Sequence, residues 1–127
     1  MNTSLTPPTL APPAAKYAHA VVVRQPVAWL HTSGVVPTAP DGSTPTSIDE
    51  QAEVVWANIA VLLEAAEMST ADIVSITTYA VTGHVLSGVM AARDRAMGPT
   101  RGASTLLRVP ALARPEWLME IAIVAAR

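Results

Sequence analysis

The closing stretch "WLMEIAIVAA" (117–126) is apolar along both of its alternating sets of positions. Trp117, Met119, Ile121 and Ile123 form one set; Leu118, Glu120, Ala122 and Val124 form the other. A strand of this kind belongs in a sheet covered on both faces. The rest of the chain offers two helices, enough for one face. At 127 residues it is a single domain with no mass left for a second layer. Self-association is the economical cover for the other face. The alternative is a small apolar patch left exposed, as on many monomers.

The remaining elements follow from local pattern. Residues 1–13 hold four prolines among small and polar residues, which predicts an extended or disordered lead-in outside the core. The domain proper is then 14–127. "YAHAVVV" (17–23) has strand character, "RQP" (24–26) is a turn, and "VAWLHTSG" (27–34) is a second strand ending at Ser33-Gly34. A Pro-, Asp- and Gly-containing loop follows. Ser47 stands three residues before Glu50, a capping box that opens a helix with Ala52, Val55, Trp56, Ile59, Leu62, Leu63 and Ala66 on one stripe. "DIVSITTYAV" (72–81) is β-branched and alternating, a strand. "VLSGVMAARDRAM" (85–97) places Leu86, Val89, Met90 and Met97 on one face of a second helix, stopped by Gly98-Pro99. "GASTLLRV" (102–109) and 117–126 are two further strands. The order β-β-α-β-α-β-β implies an α+β fold, with two helices on one face of a mixed sheet.

Charge and cysteine content narrow the function classes. Charged residues make up 14% of the chain and the net charge is −2, which leaves no basic footprint for nucleic acid or an anionic membrane. With no cysteine there is no disulfide, thiolate nucleophile or Cys-based zinc site. No basic-plus-apolar leader is read at the N-terminus and no apolar run reaches spanning length. The expectation is a soluble cytoplasmic protein.

Two charges stand among apolar neighbours. Arg101, in "GPTRGASTLL", asks for an anion at the head of a strand, and Glu120 interrupts the last strand. If the two C-terminal strands pair, the residues could form a structural ion pair; Glu120 could equally line the wet edge of an oligomer seam. His19, His31 and His84 share no metal-ligand spacing. Tyr17 suits a core edge, and Gly34 allows a backbone to approach a ligand closely. Arg93, Asp94 and Arg95 suit the solvated face of a helix. The nucleophile-elbow, P-loop and dinucleotide fingerprints are absent.

From Tyr17 onward the chain resembles the Rid family, also called YjgF-type, whose best-known branch is RidA. "KYAHAVVV" is similar to the family's "PYSQAV", "WLHTSG" to "vftSG", and "DEQAEVVWANIAVLLEAA" to "eQteqvl.Nl...LeaaG". "DIVSITTYAV" is similar to "dvvk.tvyl", "GPTRGAST" to the "PARS" element, and "LMEIAIVA" to "EIeaiA". The resemblance implies a chorismate-mutase-like fold and a homotrimer with clefts between subunits. It implies hydrolysis of reactive 2-imino or 2-enamino acids to 2-oxo acids and ammonia, with no metal or other cofactor. Arg101 would grip the substrate carboxylate through its planar fork. Glu120 would activate water, and Tyr17, Ser33, Gly34 and Ala103 would line the cleft.

The chain also departs from the family pattern. "PTRG" replaces "PARS", the second helix lacks the family's asparagine and aromatics, and Glu67 stands where a helix-ending glycine is common. There is no phenylalanine, and Trp117 is added near the last strand. Altered walls imply a different substrate, such as an aminomuconate-type imine, as the alternative to generic 2-imino acids. A ligand-sensing or interaction role without catalysis is the reading from another class.

Overall fold

The computed structural model describes residues 2–127. Six strands and two α-helices run in the order β1 (Asn2–Leu5), β2 (Ala20–Val23), β3 (Trp29–His31), α1 (Ile48–Ala65), β4 (Ile73–Val81), α2 (Ser87–Met97), β5 (Ala103–Val109) and β6 (Met119–Ala126). A one-turn 3₁₀ segment, Thr70–Asp72, leads into β4. The main sheet has the order β3-β6-β4-β5. Strand β6 runs antiparallel to both β3 and β4, whereas β4 and β5 are parallel and joined through α2.

The two-sided apolar strand lies in the middle of the sheet, and the chain itself covers one of its faces. In β6, Met119, Ile121, Ile123 and Ala125 are buried against the helices, together with Ile73, Ile76 and Ala80 of β4. From α1 come Ala52, Val55, Trp56, Ile59 and Leu63; Val89, Ala92 and Met97 come from α2. Both helices therefore cover one face. Among the described residues the opposite face, carrying Trp29, Tyr79, Leu107, Glu120 and Val124, has no helix or sheet over it: Trp29 is 50% exposed and Leu107 45%.

Helix α1 opens at the predicted Ser47, whose hydroxyl accepts from Glu50 N–H at 3.1 Å; the two-way capping box, with an acidic side chain bonding back to the cap, forms instead at Ser69 and Asp72 before β4. Its end is less ordinary. Glu67 takes φ +58°, and Met68 N–H returns to Leu63 C=O at 2.8 Å, so a glutamate occupies the left-handed closing position that favours glycine. Helix α2 ends at Gly98, at φ +56°.

Four expectations are corrected. The N-terminal segment is extended, but Asn2–Leu5 pairs with β2 as a strand, because main-chain pairing to Ala20–Val23 requires no apolar side chains. Second, β1 and β2 form a separate two-stranded sheet, and residues 17–23 join the main sheet by the Ala18–Ala103 bridge and not as a strand of it. Third, Leu62 is 40% exposed, off the buried stripe, and the fully buried Gln51 takes a core position instead. Fourth, Arg93 is buried at 7% exposure, because Asp94 Oδ1 accepts from its Nε and Nη2 at 3.1 and 2.9 Å and Ser104 lies 3.4 Å from Nη1. Only Arg95, bonded to Glu53, lies on the solvated face.

Candidate functional site

Six residues were singled out from the sequence, and they gather in two places. The first cluster forms where β3 runs out beside β6. Thr32 Oγ1 accepts from Ile123 N–H at 3.0 Å, and Val35 N–H donates to Ile121 C=O at 2.7 Å. Three steps along one strand thus match two along the other. Ser33-Gly34 absorbs the extra residue as a bulge, not as a simple strand end. The bulge lies against Glu120: a Cβ at position 34 would sit 2.5 Å from its Oε2 and 2.8 Å from its Cδ.

Two α1 amides, Gln51 fully buried and Asn58 partly so, hold this arrangement from behind. Gln51 Nε2 donates to Pro45 C=O and Glu116 C=O, both at 2.8 Å, while its Oε1 accepts from Leu118 N–H at 2.8 Å. One side chain thereby fixes the backbone leading into β6 and Glu120. Asn58 Nδ2 donates to Thr38 C=O at 2.9 Å and fixes the loop after the bulge. Sequence reading passed over both; a polar residue at a core-facing helical position was the available signal. Glu120 itself is half-buried at the head of β6, beside Tyr79 of β4, and its carboxylate has no side-chain partner among the described residues. A groove of about 410 Å³ opens beside the bulge, between β3 and α1; Leu30, Val35 and Leu62 line it together with Thr32, Thr38 and Asn58, and Glu120 is not among its walls.

The second cluster lies at the entry to β5. Arg101 follows the turn that ends α2, and its Nη1 donates to Gly98 C=O at 2.8 Å and Thr100 C=O at 3.1 Å. Two of its five donors are thus occupied, and the Nε–Nη2 edge is left for a planar anion. Tyr17 and Ala103 are neighbours, since Ala18 bridges Ala103 and Ala18 N–H donates to Gly102 C=O at 3.0 Å. The Tyr17 hydroxyl accepts from Ala14 N–H at 3.3 Å, so its own hydrogen is free to donate.

The two clusters do not meet within one chain. Ala103 is opposite Ser75 on β4 and Glu120 is opposite Tyr79, with β4 between their strands. Four residues along the strands and two strand spacings separate their backbones by about 16 Å, and Arg101 lies farther out. An Arg101–Glu120 ion pair within the chain is therefore excluded, because β5 and β6 both pair with β4 and not with each other.

The histidines stay apart. His19 Nε2 bonds Ala11 C=O at 2.6 Å, His31 sits 6.1 Å ring to ring from Trp29, and the His84 carbonyl accepts from Arg108 at 2.9 Å. Among the described residues no three His, Asp or Glu side chains gather to hold a metal, and no helix is long and apolar enough to cross a membrane.

A family model described as Endoribonuclease L-PSP matches residues 8–127. No curated protein matches the chain. Among solved structures, a Rid-family protein of unknown function from Yersinia pestis, YyfB, is 28% identical, with 99% of this chain and 98% of that chain covered at a TM-score of 0.89. The YjgF gene product of E. coli shares the fold at 24% identity, 91% coverage of both chains and a TM-score of 0.71. E. coli TdcF with bound serine does so at 21% identity, 91% coverage of both chains and a TM-score of 0.72.

Proposed function

Because the chain belongs to the Endoribonuclease L-PSP family, which takes in the Rid and YjgF proteins, we propose that it is a deaminase of 2-imino and 2-enamino acids. On this reading it works as a homotrimer whose clefts join the Arg101 cluster of one copy to the Glu120 cluster of the next. The observation that carries the proposal is the division itself. A cation with a free planar edge and an unpartnered carboxylate sit at opposite ends of a sheet whose uncovered face needs another copy. In a closed ring of copies, each end meets its complement.

The chemistry asks for little more. Arg101 holds the substrate carboxylate through two parallel N–H bonds and so fixes the imine carbon. Glu120 takes a proton from water as the oxygen adds to that carbon, giving a carbinolamine. It returns that proton to nitrogen and then takes the hydroxyl proton as the carbinolamine collapses, so that the C–N bond breaks, the C=O of the 2-oxo acid forms and the second proton leaves with ammonia. An enamine first tautomerises to the imine.

Ribonuclease action, which the family description names, finds little support in this chain. Six of its eight Lys and Arg residues are already engaged: Arg93 is buried, Arg95 and Arg114 face carboxylates, and Arg101, Arg108 and Arg127 bond main-chain carbonyls. With a net charge of −2, the chain is poorly suited to a phosphate backbone. Within the deaminase reading, a pathway-specific imine, such as an aminomuconate-type intermediate, is the alternative substrate to generic 2-imino acids. The protein would be homotrimeric and cytoplasmic.

The direct test generates 2-iminobutanoate in situ from an amino acid and follows its trapping by semicarbazide. Wild type should suppress semicarbazone formation, and Arg101→Ala should not. Equal traces for wild type and Arg101→Ala would defeat the reading.

A further inference from the structure

The N-terminal segment does more than lead into the domain. Strand β1 is held by main-chain pairing to β2 and by Asn2, whose Nδ2 donates to Ala126 C=O at 2.9 Å and Asp72 C=O at 3.2 Å. From that anchored strand the Ser4 hydroxyl donates to the main-chain carbonyl of Arg101 at 2.6 Å. Farther along, Ala14 N–H donates to the Tyr17 hydroxyl at 3.3 Å, and Ala11 C=O bonds His19, whose ring stands edge-on to Tyr17 at 6.2 Å. Residues 2–14 thus touch both polar members of one half of the cleft.

The bond to Arg101 matters because of where that residue sits. Arg101 and Gly102 form a short link between the end of α2 and the start of β5, outside any helix or strand ladder. The Gly102 carbonyl is fixed by Ala18, and the guanidinium is fixed by Gly98 and Thr100. Ser4 makes the one side-chain bond to the Arg101 carbonyl. Without it, the carbonyl between those two anchors loses its partner, and the backbone that carries the guanidinium is held less tightly.

We propose that Ser4 is a positioning residue for the carboxylate grip: the strand at the start of the chain locks the Arg101 backbone so that its free edge is set before substrate arrives. The inference rests on the reading of Arg101 as the carboxylate-binding group. A residue acting this way lowers ground-state and transition-state energies alike, so its loss falls on KM and leaves kcat in place.

The test compares wild type, Ser4→Ala, Ser4→Thr and Arg101→Ala. Affinity for 2-oxobutanoate is measured by isothermal titration, and kcat and KM on 2-iminobutanoate are measured alongside. Ser4→Ala should weaken both affinity and KM by about two- to tenfold, the range of one neutral hydrogen bond, with kcat and the unfolding midpoint unchanged. Ser4→Thr, which keeps the hydroxyl on an edge strand, should restore both. If Ser4→Ala binds like wild type while Arg101→Ala has lost the ligand, the positioning role is wrong and the Arg101 reading stands. If Arg101→Ala itself binds like wild type, both fall. Weakened binding that threonine does not restore also overturns the proposal, because the hydroxyl is then not the agent.

Discussion

Gly34 and Glu120 stand so close that a methyl group on the first would overlap the carboxylate of the second, 2.5 Å from Oε2. Glycine is required there for space and not for dihedral freedom, since its φ is not among the positive values. The bulge at Ser33-Gly34 brings the backbone up to the carboxylate, and the missing side chain leaves the carboxylate room.

Gly34→Ala is therefore expected to leave the fold intact while moving the Glu120 carboxylate, the flexible end of the pair. The predicted result is an unfolding midpoint near wild type with kcat down by about tenfold or more, approaching the effect of Glu120→Gln, since a mispositioned general base forfeits part of a contribution of about 10²–10⁴. Both variants should still bind 2-oxobutanoate. An alanine variant with wild-type kcat would show that the carboxylate's position is immaterial to turnover.

The residues of this pair were legible in the sequence; their juxtaposition was not. "SG" after a short strand and a lone glutamate in an apolar one are local signals, and so are the cap at Ser47 and the alternation of 72–81. The sheet order is not local. Strand β6 inserts between β3 and β4, which brings Glu120 to Gly34 and carries it away from Arg101. The burial of Arg93 was equally hidden: Asp94 is its neighbour in sequence, but Ser104 reaches it from another element. Strand β1 gave no signal because its pairing is through the main chain, and its polar side chains reach carbonyls far away in sequence.

Gln51 provides the test of how the Glu120 end is held. It is fully buried, and all three of its hydrogen bonds go to main-chain groups on two loops. Gln51→Ala leaves those groups unpaired and opens a cavity under the entry to β6, so a loss of about 3 kcal/mol is expected in urea unfolding. Gln51→Glu should also destabilise, because a carboxylate cannot donate to the Pro45 and Glu116 carbonyls. A change below about 0.5 kcal/mol in Gln51→Ala, the level of an ordinary surface substitution, would contradict the role assigned to this amide.

Glu67 offers a substitution in the opposite direction. Its φ of +58° costs an L-residue about 1 kcal/mol, and the side chain is exposed. Its carbonyl, which accepts from Arg127, does not depend on the side chain. Glu67→Gly should raise stability by about 0.5–1 kcal/mol despite the added freedom of the unfolded chain. Denaturant midpoints of the two proteins decide it; a lower midpoint for the glycine variant contradicts the assigned strain.

The proposed cleft between copies yields a sharper prediction than single variants can. Arg101→Ala spoils one half of every cleft and Glu120→Gln the other, so each variant alone should be inactive. When the two are unfolded together and refolded, each cleft draws its halves from two different chains. Random assembly then leaves about one cleft in four with both halves intact, and about a quarter of wild-type activity should return. Mixing the folded proteins without exchange should restore nothing. A site contained within one chain predicts no recovery under either protocol, because no chain in the mixture carries both groups. Sedimentation of the refolded mixture checks that the oligomer has re-formed, so that failure to assemble is not mistaken for failure to complement.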